Sequence, residues 1–180
     1  LPGVISKPLV YAALTGLAVG TIFGVNLVEG AESLKRLPAL PGHMTLITGI
    51  KDTLIIDDTY NSSPEPSKTA LDTMLLLEPK VGGRRIAVLS DMLELGRETE
   101  NAHREVGFKV AESRVDLLIT VGEASKHTAS SAKEAGLDEN KVNSFADSVT
   151  AGRFLQDKLK TGDIILVKGS QSMRMEKIVK

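Results

Sequence analysis

Apolar and polar positions divide this chain into two regimes. Near the start, Leu9, Ala12, Ala13, Leu14, Leu17 and Ala18 recur with helical spacing behind Pro8, a residue suited to a first helical turn. This predicts a helix pair over about the first 36 residues, with Leu9 to Val25 as a buried helix. Leu37-Pro38-Ala39-Leu40-Pro41-Gly42 then breaks the pattern, because a helix cannot continue through both prolines. A domain boundary is expected there, separating a helical segment with its linker (residues 1–40) from a second unit (residues 41–180).

Beyond the boundary, short apolar runs alternate with helical patterns. Strands are predicted at Met44–Thr48, Thr53–Ile56, Arg85–Leu89, Asp116–Val121 and Asp163–Val167, and helices at Pro66–Leu77, Glu98–Ser113 and Asp147–Leu159. Only Gly49-Ile50-Lys51-Asp52 separates the first two strands, too few residues for a helical crossover, so they should form a hairpin. The later alternation predicts βαβ units: an α/β fold with a mostly parallel sheet and flanking helices.

Composition narrows the picture. The 180 residues are 42% hydrophobic, enough for one sizeable core. With 22 basic and 23 acidic residues the formal net charge is −1, so no overall field recruits nucleic acid or an anionic membrane, and an anionic ligand must be held locally. Cysteine is absent, which removes disulfides, thiol nucleophiles and thiolate metal sites and fits a reducing compartment such as the cytoplasm. Leu9 to Val25 is interrupted by Tyr11, Thr15, Gly16, Gly20, Thr21 and Gly24, and reads as a buried helix rather than a membrane span. No basic leader or small-residue cleavage site suggests a secretory signal. The chain starts at Leu1 without an initiator methionine, and its first apolar helix has nothing before it to pack on. A fragment or processed chain is therefore expected.

Three strand ends carry candidate chemistry, since ligands of parallel sheets bind outside the carboxyl ends of the strands. After Ile55-Ile56 come Asp57-Asp58-Thr59-Tyr60-Asn61-Ser62-Ser63-Pro64. The two carboxylates suit acid/base work, metal ligation or acceptance of ribose hydroxyls. Side chains alternate along a strand, so the pair need not converge on one atom. Tyr60 can stack on a base and Asn61 can bond a ring edge; equally, the run can be a turn capped by Ser63. After Ile86-Ala87-Val88-Leu89 come Ser90-Asp91-Met92-Leu93-Glu94-Leu95-Gly96, where Asp91 either supports a substrate or caps a loop, and where His103 of the next helix can reach. After Val167 come Lys168-Gly169-Ser170: Lys168 can meet a phosphate or carboxylate, and Ser170 can cap the following helix. The sequence holds no Gly-x-x-x-x-Gly-Lys-Ser/Thr loop, no zinc-ligand spacing and no nucleophile elbow, so it cannot by itself cradle a triphosphate in the P-loop manner.

Taken together, the order and spacing of these runs, with His103, Gly107 and Met173-Arg174-Met175-Glu176, resemble the Mur ligase family across residues 41 to 180. Residues 1 to 36 are similar to the last helices of that family's central ATP-binding domain. The resemblance implies a Rossmann-like C-terminal domain that closes over a nucleotide bound mainly by the central domain. It implies an ATP-dependent amide ligase of peptidoglycan synthesis, which phosphorylates the carboxylate of UDP-N-acetylmuramoyl-tripeptide; the amine of D-Ala-D-Ala then attacks the acyl phosphate. Asp91-Met92-Leu93-Glu94-Leu95-Gly96 favours this dipeptide-adding branch over relatives that add another amino acid. By the same resemblance Asp58, Tyr60 and Asn61 contact the adenosine of ATP with Asp57 and His43 nearby, while Asp91, Lys168 and Ser170 line the cleft near the incoming substrate. Catalytic residues and most ligands of ATP and Mg2+ are expected upstream of Leu1, leaving these residues inactive alone and monomeric. The family's linker reads Pro-Gly-Arg-Met where this chain has Pro41-Gly42-His43-Met44, and two asparagines of its preceding helix fall at Leu9 and Ala12. The second reading is a stand-alone nucleotide-binding or regulatory module on the same domain.

Overall fold

The computed structural model describes residue 3 and residues 5–180. Two helices come first, α1 (Lys7–Ile22) and α2 (Leu27–Lys35), each opened by a side-chain cap: Ser6 accepts from Leu9 N and Asn26 from the amides of Val28 and Glu29. Residues 1, 2 and 4 of the expected helical segment lie outside the described residues. The expectation of a buried first helix is corrected here. Neither α1 nor α2 contains a buried residue, and Tyr11, Leu14, Ile22 and Phe23 are all exposed. Their apolar spacing gives helices, and these pack chiefly on each other.

A six-stranded sheet follows: β1 (Thr45–Thr48), β2 (Leu54–Asp58), β3 (Arg85–Ser90), β4 (Leu117–Val121), β5 (Val142–Phe145) and β6 (Ile164–Lys168). Their order is β1-β2-β6-β3-β4-β5. The predicted hairpin is present, with Thr45 opposite Asp57 and Thr48 opposite Leu54 in antiparallel register. Every other pairing is parallel. Between the strands run α3 (Pro64–Leu75), α4 (Thr99–Glu112), α5 (Ser125–Glu134) and α6 (Ser148–Lys158), and the short α7 (Glu176–Val179) ends the chain.

Strand alternation divides the core between the two faces of the sheet. Ala87, Leu89, Leu118 and Leu166 meet Leu71, Met74, Val106 and Val110 of α3 and α4 on one face. On the other, Ile86, Val88, Ile119 and Ile165 meet Ala151 and Leu155 of α6 and Met175. Each fully buried Leu, Ile, Val or Met side chain among them contributes about 1.5–3 kcal/mol. All six residues of β3 and all five of β6 are buried, as expected for central strands covered on both sides.

Two elements escaped the sequence reading, α5 and β5. The buried residues of α5 are Ser125, Thr128, Ala129, Ser131 and Ala132, small and largely polar, so they leave no apolar stripe to read. They suit a close approach. A Cβ on Gly107 of α4 would lie 2.0 Å from Ser131 Oγ and 2.3 Å from the Thr128 carbonyl, so glycine there lets the two helices meet. Strand β5 is a four-residue edge without a buried position. Among the described residues, no helix is long and apolar enough to cross a membrane.

Candidate functional site

The sheet order decides which strand ends become neighbours. Strand β6 inserts between β2 and β3, so Asp58, Lys168 and Ser90, far apart in sequence, end three adjacent strands on one edge. The chain winds outward from β3 to β5 and returns to β6, and such a reversal opens a crevice beyond the strand ends.

Asp57 and Asp58 face opposite sides of β2, and both hold the linker. Asp57, buried, accepts from Gly42 N at 2.9 Å and from the Thr59 hydroxyl at 2.7 Å. Asp58 accepts from Met44 N at 3.3 Å and pairs with Lys168 Nζ at 2.6 Å. Gly42 and Met44 both carry positive φ, +76° and +53°, so the two carboxylates fix a turn with a strained residue at one end. Lys168, its side chain only 3% exposed, also donates to the Asn61 carbonyl at 2.9 Å and so pins the 58–61 turn to β6.

His43 and Tyr60 stack on each other, with ring centroids 4.6 Å apart and an interplanar angle of 29°. Nδ1 of His43 lies 3.0 Å from the Pro41 carbonyl; a carbonyl only accepts, so Nδ1 carries the proton and donates. Asn61 is exposed, and its Oδ1 accepts from Ser62 N at 2.8 Å, leaving its NH2 group free to bond a ligand.

These residues frame a cleft of about 450 Å³ between the start of α1 and helix α3. His43, Asp58, Asn61 and Lys168 line its floor, and Pro8, Leu9, Pro66 and Ala70 face each other across it. Tyr60 lies outside, beside a second hollow on the far side of the 41–44 turn that also meets Arg174 and Lys180. The sequence reading did not single out Pro66 and Ala70 as site residues. Their four-residue spacing in a helix just after an Asp-Asp strand end was the available signal.

Asp91 and Ser170 do not line this cleft; they brace the neighbouring loop. The Asp91 carboxylate accepts from Ser125 N at 2.7 Å and Glu123 N at 3.2 Å, capping α5 from the adjacent strand end. Ser170 Oγ donates to the Asp91 carbonyl at 3.1 Å and accepts from Leu93 N at 3.3 Å. It makes no side-chain cap for the 3-10 turn that follows, contrary to the capping expected from sequence. His103 is fully buried: Nε2 accepts from Met92 N at 2.9 Å, and Nδ1 donates to the Thr99 carbonyl at 2.6 Å. Burial holds its pKa below the ordinary value, against the opposing pull of that carbonyl and of Asp91. Asp91, Ser170 and His103 together hold the 91–93 backbone. Among the described residues, no three acidic or histidine side chains gather to hold a metal ion.

A doubly wound α/β domain with a ligand-sized cleft at its strand ends is a class shared by many binding proteins and enzymes. Residues 42–171 match the Mur ligase glutamate ligase domain, and the chain belongs to the Mur ligase family. The UDP-N-acetylmuramoyl-tripeptide–D-alanyl-D-alanine ligase of Bacillus subtilis (strain 168) is 30% identical over 177 residues, covering 98% of this chain and 38% of the relative. The structure of MurF from Acinetobacter baumannii aligns with a TM-score of 0.83 at 25% identity, over 97% of this chain and 37% of that one. MurF ligase from Thermotoga maritima, in complex with ADP, aligns with a TM-score of 0.69 at 25% identity, over 91% of this chain and 35% of that one. The chain thus spans little more than a third of the length of these relatives.

Proposed function

We propose that the chain is the C-terminal part of an ATP-dependent amide ligase that joins D-Ala-D-Ala to UDP-N-acetylmuramoyl-tripeptide in peptidoglycan synthesis. Residues 41–180 are the C-terminal domain, and residues 1–40 are the helical end and linker of a central ATP-binding domain. The observation that carries this reading is the cleft at the β2 and β6 ends, bounded by Asp58, Asn61, His43 and Lys168 in a chain of this family. The ADP bound to the Thermotoga maritima relative supports a nucleotide as its occupant.

In this reading the chain binds and orients while residues outside it perform the phosphoryl transfer, so none of its own residues is assigned a catalytic role. Asn61 and His43 meet the nucleoside directly; Asp58 and Lys168 fix the turn that presents Asn61; Asp57 holds the linker amide. Tyr60 backs His43. Asp91 and Ser170 act on the incoming dipeptide through the 92–94 loop they brace. Mg2+, held with the phosphates chiefly by residues of the central domain, would supply charge neutralisation during transfer. The tripeptide carboxylate takes the γ-phosphoryl group and releases ADP; the dipeptide amine then attacks the acyl carbon and phosphate leaves. Closure of the domain excludes water from the acyl phosphate. The enzyme works as a cytoplasmic monomer and serves wall growth, cell shape and division.

The test is phosphate release by the complete gene product with ATP, Mg2+, the UDP-linked tripeptide and D-Ala-D-Ala. Release that needs all the substrates, with the amide product seen by mass spectrometry, is expected; the 180 residues alone should give none. A complete gene product that binds ATP yet makes no amide with D-Ala-D-Ala or any other amino acid would overturn the ligase assignment.

A further inference from the structure

The loop that leaves β3 is closed at its root and open at its tip: Asp91 and Met92 are buried, Leu93 and Glu94 exposed. Glu94 has a φ of +63°, in the left-handed region that disfavours a residue with a side chain, so the loop holds its shape against its own backbone preference. Its anchors come from three directions. Ser170 Oγ joins the Asp91 carbonyl to Leu93 N; the Met92 side chain packs in the core with its sulfur on the Ser67 hydroxyl; and His103 Nε2 accepts from Met92 N.

Of these anchors, the imidazole alone changes character on taking up a proton. Its Nδ1–H is committed to the Thr99 carbonyl at 2.6 Å, so the lone pair that meets Met92 N belongs to Nε2 of the neutral ring. A protonated ring carries a hydrogen on both nitrogens. Nε2–H then faces the Met92 N–H, donor against donor, where His103 is 0% and Met92 2% exposed. Two buried donors without an acceptor are costly, and movement of the loop backbone frees both.

The surrounding charges leave this conflict in place. Burial is the largest influence and keeps the ring neutral; Asp91 on the loop favours the protonated ring, and His127 on α5 opposes it. His127 lies 3.8 Å from Glu100 of α4, and Glu123, just before α5, pairs with Lys126. Lys68 of α3 pairs with Glu65 and Glu105, and Arg104 of α4 pairs with Glu134.

We infer that neutral His103 is the positioning residue of the 91–95 loop, and that a proton on Nε2 releases this loop while the sheet stays folded. Resting on the reading above, in which the loop serves the incoming dipeptide, the closed loop is the form that receives D-Ala-D-Ala.

The test is hydrogen exchange of the complete gene product, read by mass spectrometry over residues 91–95 at pH 7.5 and 5.5 and corrected for the intrinsic pH dependence of exchange. In the open loop the ring returns to its ordinary value of 6.5, and in the closed loop it lies below that. The closed form is therefore fully favoured above pH 6.5 and loses ground as pH falls. The opening constant should rise about five- to tenfold from pH 7.5 to 5.5. The rise should vanish in His103→Gln, whose amide oxygen can accept from Met92 N but does not titrate. It should persist in His127→Gln, a half-exposed position that leaves the core intact and keeps the test decisive if His103→Gln fails to fold. No rise in the wild type, an equal rise in His103→Gln, or its loss in His127→Gln overturns the latch. At pH 5.5, D-Ala-D-Ala added to the protein with a non-hydrolysable ATP analogue, Mg2+ and the UDP-linked tripeptide should restore protection, because a ligand of the closed loop draws the equilibrium towards it. Protection unchanged by the dipeptide overturns the loop's part in receiving it. Absence of any amide product in the ligase assay overturns the ligase reading instead, and the exchange arm without substrates still decides the latch.

Discussion

Replacing Lys168 by Met removes an ammonium group but keeps most of the aliphatic stem, so it tests the ion pair that ties β6 to β2 at the floor of the cleft. The wild-type pair has an N–O distance of 2.6 Å, with side-chain exposures of 3% for Lys168 and 14% for Asp58. After the change, the Asp58 carboxylate keeps only the long bond from Met44 N at 3.3 Å. Stranding one member of a buried pair costs about 3–5 kcal/mol. The residual exposure of Asp58 allows some hydration and sets the expectation near the lower end, about 3 kcal/mol. For a chain of this size that corresponds to a fall in Tm of about 6–12 °C. Asp58→Asn should cost about 2–3 kcal/mol by leaving the ammonium with only neutral acceptors. The double variant strands no charge, so it should be more stable than the sum of the single costs implies, with a coupling energy of about 2 kcal/mol. Urea unfolding of the four proteins, followed by circular dichroism, measures this cycle. A coupling below about 0.5 kcal/mol would show that the pair does not hold the cleft floor.

Three further outcomes follow from the same geometry. Asp91→Ala removes the bonds to the Glu123 and Ser125 amides and should cost about 1–2 kcal/mol in urea unfolding; unchanged stability would show that Asp91 does not cap α5. Gly107→Ala should destabilise by about 1–3 kcal/mol despite the better helix propensity of alanine, because its Cβ would collide with Ser131 and the Thr128 carbonyl; an unchanged melting temperature would show that α4 and α5 separate freely. His103 has a folded-state pKa depressed chiefly by burial below the ordinary 6.5, so the unfolded chain takes up its proton first. Its contribution is complete above pH 6.5 and is lost as pH falls through that value towards the folded pKa, at up to about 1.4 kcal/mol per pH unit. His103→Gln should remove that part of the slope of unfolding free energy against pH, and an identical slope in both proteins would refute it.

The parts of the fold legible in sequence were those written in apolar periodicity. Strands β1 to β4 and β6 fall within one or two residues of the runs that predict them, and the short Gly49–Asp52 connection gave the antiparallel pair. Helix α5 was silent because its buried face is serine, threonine and alanine, residues chosen for a close helix crossing. The first helices misled for a different reason: periodicity reports that a face is apolar, not what covers it.

The three polar strand ends were visible as chemistry, but their division of labour was not. Asp57 and Asp58 read alike in sequence, yet strand alternation sends one to Gly42 and Thr59 and the other to Met44 and Lys168. Asp91 reads like a ligand-facing acid, yet its oxygens are taken by the amides that open α5.

The sequence alone determined the α/β class, the hairpin at the edge, the positions of the three motifs and, through their order, the family. The tertiary structure decided the rest by inserting β6 between β2 and β3, since strand order depends on long-range pairing that no local pattern encodes. That single insertion sets Lys168 against Asp58 and closes the cleft floor.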